Sequence, residues 1–193
     1  MSGPGGDEIH TLEPLIDAIR TGVESSGWEL SGLQKTTSHQ FEGRWEGEST
    51  RSAYVFFHPP EGPDFVSIDV YLDETSRGLS GNAALVADLV SLGDLGEAAP
   101  ALHALRGTSQ RELGESQRRP ITLRFRLGDA SWKPEDAESE VRFKVRLPRR
   151  VIASGSEAVT AWTVEVVAAF ARILEAPELV RLAPGSGADE APE

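Results

Sequence analysis

Residues 121–127 have the sequence Ile-Thr-Leu-Arg-Phe-Arg-Leu, and residues 141–147 have the sequence Val-Arg-Phe-Lys-Val-Arg-Leu. Both stretches alternate strictly between apolar and polar residues, which is the period of a strand with one buried face. We predict that they form two adjacent antiparallel strands. Their apolar residues then face the core, and the opposite face carries five cations: Arg124, Arg126, Arg142, Lys144 and Arg146.

Three stretches upstream are enriched in β-branched and aromatic residues, and we predict strands at about 33–46, 51–58 and 65–73. In the third, apolar residues from Val66 to Leu72 alternate with polar ones, which indicates one buried face and one acidic, solvated face. The second contains Tyr54, Val55, Phe56 and Phe57 in a row. We therefore expect it to be a central strand that is buried on both faces.

Helical periodicity occupies three other regions. A first helix follows Thr11 and ends near Ser26. A broken helical section covers 82–92, where Leu85, Val86, Leu89 and Val90 have helical spacing, and resumes at Pro100. A long final helix begins at Ser154 or Ser156 and ends near Pro177. The expected fold is an α+β domain with an antiparallel sheet of about five strands, in the order α-βββ-α-ββ-α.

Length and composition set the organisation of the chain. It has 193 residues, which is enough for one domain, and we assign that domain to residues 9–182. Residues 1–8 and 183–193 are rich in small, polar and Pro or Gly residues and are expected to be disordered.

Charge and cysteine content exclude several classes of function. The formal net charge is −12, which argues against a nucleic-acid partner because phosphate binding needs a basic face. Alternation also places Phe125 and Phe143 in the core, where neither ring is available to stack on a base. Zero cysteines exclude disulfides, thiolate catalysis and Cys-ligated metals. Without a secretory signal or a transmembrane segment, we expect a soluble protein of the bacterial cytoplasmic type, with no membrane partner.

The predicted element order, the acidity and the small size resemble the class I type III secretion chaperone-like superfamily. The resemblance covers residues 12–182 and is one of pattern, without a diagnostic motif. It implies a non-enzymatic, ATP-independent protein that often forms homodimers. It also implies that an extended segment of a partner is held against the sheet and helices.

No motif in the chain indicates a catalytic centre or a cofactor. The four histidines lack the spacing of a helical metal site, although His39 and His58 could meet across neighbouring strands near Asp69 or Asp73. Residues 78–81, Gly-Leu-Ser-Gly, do not complete a nucleophile elbow, and no phosphate-binding glycine loop is present. We therefore expect no enzyme activity and no cofactor.

The five cations have two explanations. Asp69 and Asp73 on the third strand can neutralise them as a solvated network. Alternatively, the cations bind an acidic segment of another protein, where arginine favours bidentate contacts with carboxylates.

Two tryptophans are further candidates. Trp132, in the loop between the two alternating strands, and Trp162, on the wide apolar face of the final helix, either pack on the core or contact a partner.

The sequence thus favours a non-catalytic protein-binding module, chaperone-like or inhibitory. It would hold or sequester a partner through the sheet and the final helix. A small-ligand binder or enzyme with a pocket between sheet and helices is one alternative. A homodimeric structural subunit is the other.

Overall fold

The structure, a computed structural model, describes residues 9–38, 50–61, 64–89, 95–114, 121–126 and 138–183. Its elements follow in the order α1 (Leu12–Ser25), β1 (Glu29–Ser38), β2 (Thr50–His58), β3 (Val66–Thr75), β4 (Gly78–Leu89), α2 (Leu95–Leu113), β5 (Ile121–Arg126), β6 (Glu138–Arg146), α3 (Arg149–Ala153), α4 (Ser156–Leu174) and α5 (Pro177–Leu182).

The strands form one six-stranded sheet in the order β1-β2-β3-β4-β6-β5, and every neighbouring pair is antiparallel. The first four strands make a meander. Helix α2 then carries the chain to the far edge, where β5 forms, and β6 returns between β5 and β4. The α+β class and the pairing of the two strongly alternating stretches are thus confirmed.

The two faces of the sheet differ in what covers them. The face that we call the inner face packs against the helices, and its side chains are buried from β2 through β6. Phe57 and Phe143 from the sheet and Phe170 from α4 are fully buried there, in one continuous hydrophobic core. The opposite face, the open face, carries the polar and charged residues of the same strands.

Helix α1 is held in place at its first turn and near its end. The Thr11 side chain makes no capping bond, and the Leu12 N–H instead donates to Glu74 Oε2 of β3 at 2.8 Å. Arg51 joins the Glu74 and Glu13 carboxylates, and it holds the pKa of Glu13 below its usual value through its hydrogen bond to that residue.

Helices α1 and α4 cross closely near the end of α1. A Cβ at Gly22 would lie 2.7 Å from Thr163 Cβ, so only glycine permits this approach. Beside it, the Thr160 hydroxyl donates to the Ala18 carbonyl at 3.0 Å.

The structure corrects two predictions about the middle of the chain. Residues 82–89, predicted to be helical, belong to strand β4, so the sheet has six strands instead of about five. Helix α2 also begins at Leu95 and contains Pro100, whereas we predicted a short helix that starts at this proline. The first strand, predicted at 33–46, begins earlier, since β1 spans Glu29–Ser38, and residues 39–46 of the prediction lie outside the described part of the chain.

Residues 1–8 and 184–193, predicted to be disordered, lie outside the described part of the chain. Ala183, included in the predicted tail, is described and buried. None of the helices within the described ranges has the length and apolar character needed to cross a lipid bilayer.

Candidate functional site

A groove runs along β4 on the open face of the sheet. Asn82, Ala84 and Val86 point to this face, and their small size makes β4 the floor between taller side chains on β3 and β6. The groove has a volume of about 430 Å³. This size is within the range of ligand and peptide sites in proteins.

Three of the cations predicted from the sequence, Arg124, Arg142 and Lys144, line one side of the groove. In the register of β6 against β4, Arg142 lies beside Val86, Lys144 beside Ala84 and Arg146 beside Asn82. All three occupy the face away from the core, because their neighbours in β6 are the buried residues Val141, Phe143 and Val145.

Arg124 lies further out on β5, next to Glu140 in register, and its side chain is 61% exposed. Its guanidinium is 3.5 Å from the Glu140 carboxylate. The backbone of Arg126 ends β5, but the position of its side chain is outside what the structure describes.

Arg142 closes one end of the groove. Its guanidinium reaches across β4 to Asp69 on β3, with a distance of 3.3 Å between Nη1 and Oδ2, and its Nε donates to Glu140 at 2.7 Å. This bridge covers Ala84 and Val86, which are only 5% and 6% exposed although they face away from the helices. The end of the groove at Val86 is therefore covered.

The electrostatics of Arg142 agree with a fixed structural role. Burial acts to lower its pKa, but the hydrogen bond to Glu140 and the charges of Glu140 and Asp69 outweigh burial and raise the pKa of Arg142 above its ordinary value. Arg142 stays charged, and the carboxylates of Asp69 and Glu140 neutralise its charge. Arg142 therefore fits the first explanation of the cations, in which carboxylates of the same protein neutralise them.

The other wall is aromatic. The Tyr54 and Tyr71 rings, neighbours on β2 and β3, have centroids 4.8 Å apart with their planes tilted by 46°. Tyr54 is 38% exposed, and Phe56 lies beside it along β2, half-buried. This wall presents apolar rings opposite the cations.

Asp73 holds the Tyr71 ring in position. The Tyr71 hydroxyl donates to Asp73 Oδ1 at 2.5 Å, and the Ser52 hydroxyl donates to the same oxygen at 2.6 Å. Burial, followed by the hydrogen bond to Asp73, raises the pKa of Tyr71 above the ordinary value for a phenol. Asp73 thus fixes the Tyr71 hydroxyl by a hydrogen bond. No ion pair between Asp73 and a cation of β5 or β6 is found among the described residues.

Lys144 and Arg146 form no ion pair with any described residue. Neither has a carboxylate within 4.0 Å in the described part of the chain. In register, Arg146 lies across Asn82 from Tyr71, with Tyr54 behind it on β2, whereas Lys144 lies across Ala84 from Asp69. The end of the groove at Asn82 therefore has Arg146 on one side and two phenol rings on the other, and Lys144 follows two residues away on β6.

The two tryptophans proposed as contacts are not part of this site. Trp162 lies on α4, half-buried against the core, and is separated from the groove by the sheet. Trp132 lies outside the described residues.

A metal site at His39 and His58 finds no support in the described ranges. His39 is outside them, and His58 is exposed at the end of β2. No group of three potential metal ligands lies together among the described residues.

The aromatic wall is what sequence reasoning missed. The run from Tyr54 to Phe57 was expected to be buried on both faces, but only Val55 and Phe57 are buried. The signal was present in the neighbouring strand, where Tyr71 occupies a polar-face position between Asp69 and Asp73. An aromatic residue in that phase indicates rings on the open face.

The chain was compared with protein-family models, curated proteins and solved structures, and none of them matches it. No relative therefore contributes an activity or a partner. The groove itself is the basis for inferring function.

Proposed function

We propose that this protein is a non-catalytic binding module, chaperone-like or inhibitory, that holds a segment of a partner protein on the open face of its sheet. The observation that carries the proposal is the pair Lys144 and Arg146, which have no internal carboxylate among the described residues; Lys144 lines the groove, and Arg146 lies beside the groove residue Asn82.

The charge of the whole protein makes this pair informative. A body with net charge −12 repels acidic partners in general, so exposed cations create a local exception. Complementary charges at an interface favour the correct partner and fix how it docks. An acidic segment is therefore the partner best suited to this wall.

The two alternative functions, a ligand pocket and a homodimer, have fewer observations in their favour. The cavity that α1 and α4 form with the sheet, lined by Val23, Ile68 and Phe170 among others, has a volume of about 10 Å³, which is room for about one water molecule and too small for a ligand. A homodimer through α4 would use Val164, the one large apolar residue that is exposed among the described residues of α4, and single exposed large apolar residues are ordinary on protein surfaces.

Affinity purification from the organism that makes the protein tests the proposal. We expect the wild-type protein to retain a partner that is lost in the variant Lys144→Glu with Arg146→Glu. Lys144 is preferred to Arg124 as the target because Arg124 already has Glu140 as a partner.

A matched control changes the net charge equally elsewhere. Arg77 in the β3–β4 turn and Arg106 on α2 are exposed, and the variant Arg77→Glu with Arg106→Glu should retain the partner. The neutral variant Lys144→Gln with Arg146→Gln should weaken capture without adding repulsion. Equal capture by all three variants and the wild type would contradict the proposal.

A further inference from the structure

The groove has the width of one extended chain. Its walls stand on β3 and β6, which are separated by β4 and hence by two strand spacings, about 9.5 Å in total. An α-helix with its side chains has a diameter of about 10–12 Å and would not reach the floor. An extended segment lying over β4 would reach it.

The spacing of the cations also matches an extended chain. Lys144 and Arg146 are two residues apart on one strand, which places them about 6.8 Å apart along β6. Alternate side chains of an extended segment have the same spacing and point to the same side. Two acidic residues separated by one residue can therefore meet both cations at once.

The intervening side chains of such a segment point to the opposite wall. On that wall Asp69 and Tyr71 stand on β3, with Phe56 and Tyr54 behind them on β2. Aromatic rings pack favourably against other rings in offset or edge-to-face geometry. The residue between the two acids meets the wall beside Tyr71 and is then best filled by an aromatic side chain.

The Arg142–Asp69 bridge limits the length of the bound segment. It covers the floor at Ala84 and Val86 and leaves the Asn82 end of the groove uncovered. Few residues fit in that space, so recognition depends on a short motif.

From these four features we infer that the groove binds a short extended segment in which acidic and aromatic residues alternate, with two acids on Lys144 and Arg146 and the ring between them against Tyr71, which Tyr54 backs on β2. This inference rests on the proposed function and specifies the sequence of the segment that is held.

Single-stranded nucleic acid is the competing occupant, because it also combines negative charge with rings. The open face, however, carries carboxylates as well as cations. Among the described side chains of β3 to β6, Asp69, Asp73, Asp88 and Glu140 share this face with Arg124, Arg142, Lys144 and Arg146, so acids and cations are equal in number there. A phosphate backbone requires a net basic surface, and an acidic peptide with fewer charges fits better.

Fluorescence anisotropy with labelled peptides tests the inference on the full chain. The probes are an octapeptide of alternating Glu and Tyr, a peptide of the same composition with its four Glu before its four Tyr, and an oligothymidine. We expect the alternating peptide to bind at least about tenfold more tightly than the block peptide, and its affinity to fall as salt is raised. The oligothymidine should not bind.

Variants assign the binding to the groove. Lys144→Glu with Arg146→Glu should weaken the alternating peptide at least about tenfold, and Tyr54→Ala should also weaken it, whereas Arg77→Glu with Arg106→Glu should leave it unchanged. Circular dichroism of each variant checks that it folds. A variant that fails to fold is replaced by Lys144→Gln with Arg146→Gln, whose effect is read in the same assay.

Three results would overturn the inference: equal binding of the alternating and block peptides, no binding of either peptide at millimolar concentration, or tighter binding of the oligothymidine. The proposed function and this inference can be told apart, because a different experiment tests each of them. If the natural partner still depends on Lys144 and Arg146 while the two peptides bind equally, the face holds a protein segment but does not select alternation.

Discussion

The inner and open faces of the sheet are made by the same six strands, and neighbouring residues of one strand take part in both. On β6, Phe143 points inward and is 0% exposed, whereas Lys144 points outward and is solvated. Burial of apolar area stabilises the inner face, since each buried large side chain contributes about 1.5–3 kcal/mol. No helix within the described ranges covers the open face, which carries charges and half-exposed rings around the small residues of β4.

This difference separates stability from recognition. Residues that lie one position apart are expected to have opposite roles, one in holding the fold and the other in binding a partner. Changes on the inner face should unfold the protein, and changes on the open face should alter what it binds while the fold persists. The following predictions test that separation.

The largest effect is expected from Phe143→Ala. It removes a fully buried ring from the inner face and should lower the free energy of unfolding by about 3–5 kcal/mol. Lys144→Ala, the next residue, should change that free energy by no more than about 0.5 kcal/mol. Urea unfolding followed by circular dichroism measures both, and similar losses in the two variants would contradict the separation of faces.

Gly22→Ala tests how tightly the helices cover the inner face. The added Cβ would lie 2.7 Å from Thr163 Cβ and 2.9 Å from the Thr160 carbonyl oxygen of α4. Helices α1 and α4 must then move apart, and we expect a loss of about 1–3 kcal/mol.

Gly107→Ala is the matched control for this substitution. It lies on α2 with no heavy atom within 4 Å of an added Cβ. Alanine should stabilise the helix there by about 0.5–1 kcal/mol. The two substitutions should thus have opposite signs in the same unfolding assay, and equal signs would mean that α1 and α4 are not in close contact.

On the open face, Asp69→Asn should have a smaller effect. It removes one of the two carboxylates on Arg142, which keeps Glu140. Because this pair is partly solvated, we expect a loss of about 0.5–1 kcal/mol that shrinks as salt is added. Asp17→Asn on the exposed side of α1 is the control and should have no measurable effect; a loss above that of Gly22→Ala would show that the bridge is a main stabilising contact.

The smallest effect concerns Tyr71. The protein has two tyrosines, so in Tyr54→Phe only Tyr71 titrates in ultraviolet absorbance. Its midpoint should lie above that of a free phenol, about 10, since burial and Asp73 raise the pKa of Tyr71.

The sign of the linked stability change follows from that direction. Since the folded-state pKa of Tyr71 is raised, its contribution is fully present below pH of about 10 and is lost as pH rises through the folded-state value. Tyr71→Phe, in which only Tyr54 titrates, is the reference. A Tyr71 midpoint at or below about 10 would contradict a half-buried tyrosine wall.

Much of the fold could be predicted from alternation. The β5–β6 pair was predicted because every second residue is apolar and the partner face is cationic. Strand β3 was predicted for the same reason, with Val66, Ile68, Val70 and Leu72 buried as expected. In each case one strong pattern matches one buried face.

Strand β4 was missed because its alternation is hidden. Ala83, Leu85, Ala87 and Leu89 face the core, but Ala84 and Val86 between them are also apolar. They tolerate the open face because the Arg142–Asp69 bridge covers them, and this contact joins residues that are distant in sequence. Leu85, Val86 and Leu89 then have helical spacing by coincidence.

The candidate site was half predictable. Strand period alone places cations on one face, but which cations have internal partners depends on the strand order β3-β4-β6. That order lets Arg142 reach Asp69 and leaves Lys144 and Arg146 without a carboxylate among the described residues. Pattern within a single strand carries no such information.

The contact between α1 and α4 has a consequence for biosynthesis. Ala18 and Gly22 pack against Thr160 and Thr163, which the ribosome adds only after all six strands have been made. Until then the apolar stripe of α1 lacks its main helical neighbour, so the nascent chain emerges with that stripe uncovered. We expect docking of the two helices to be a late step, completed after α4 has left the exit tunnel.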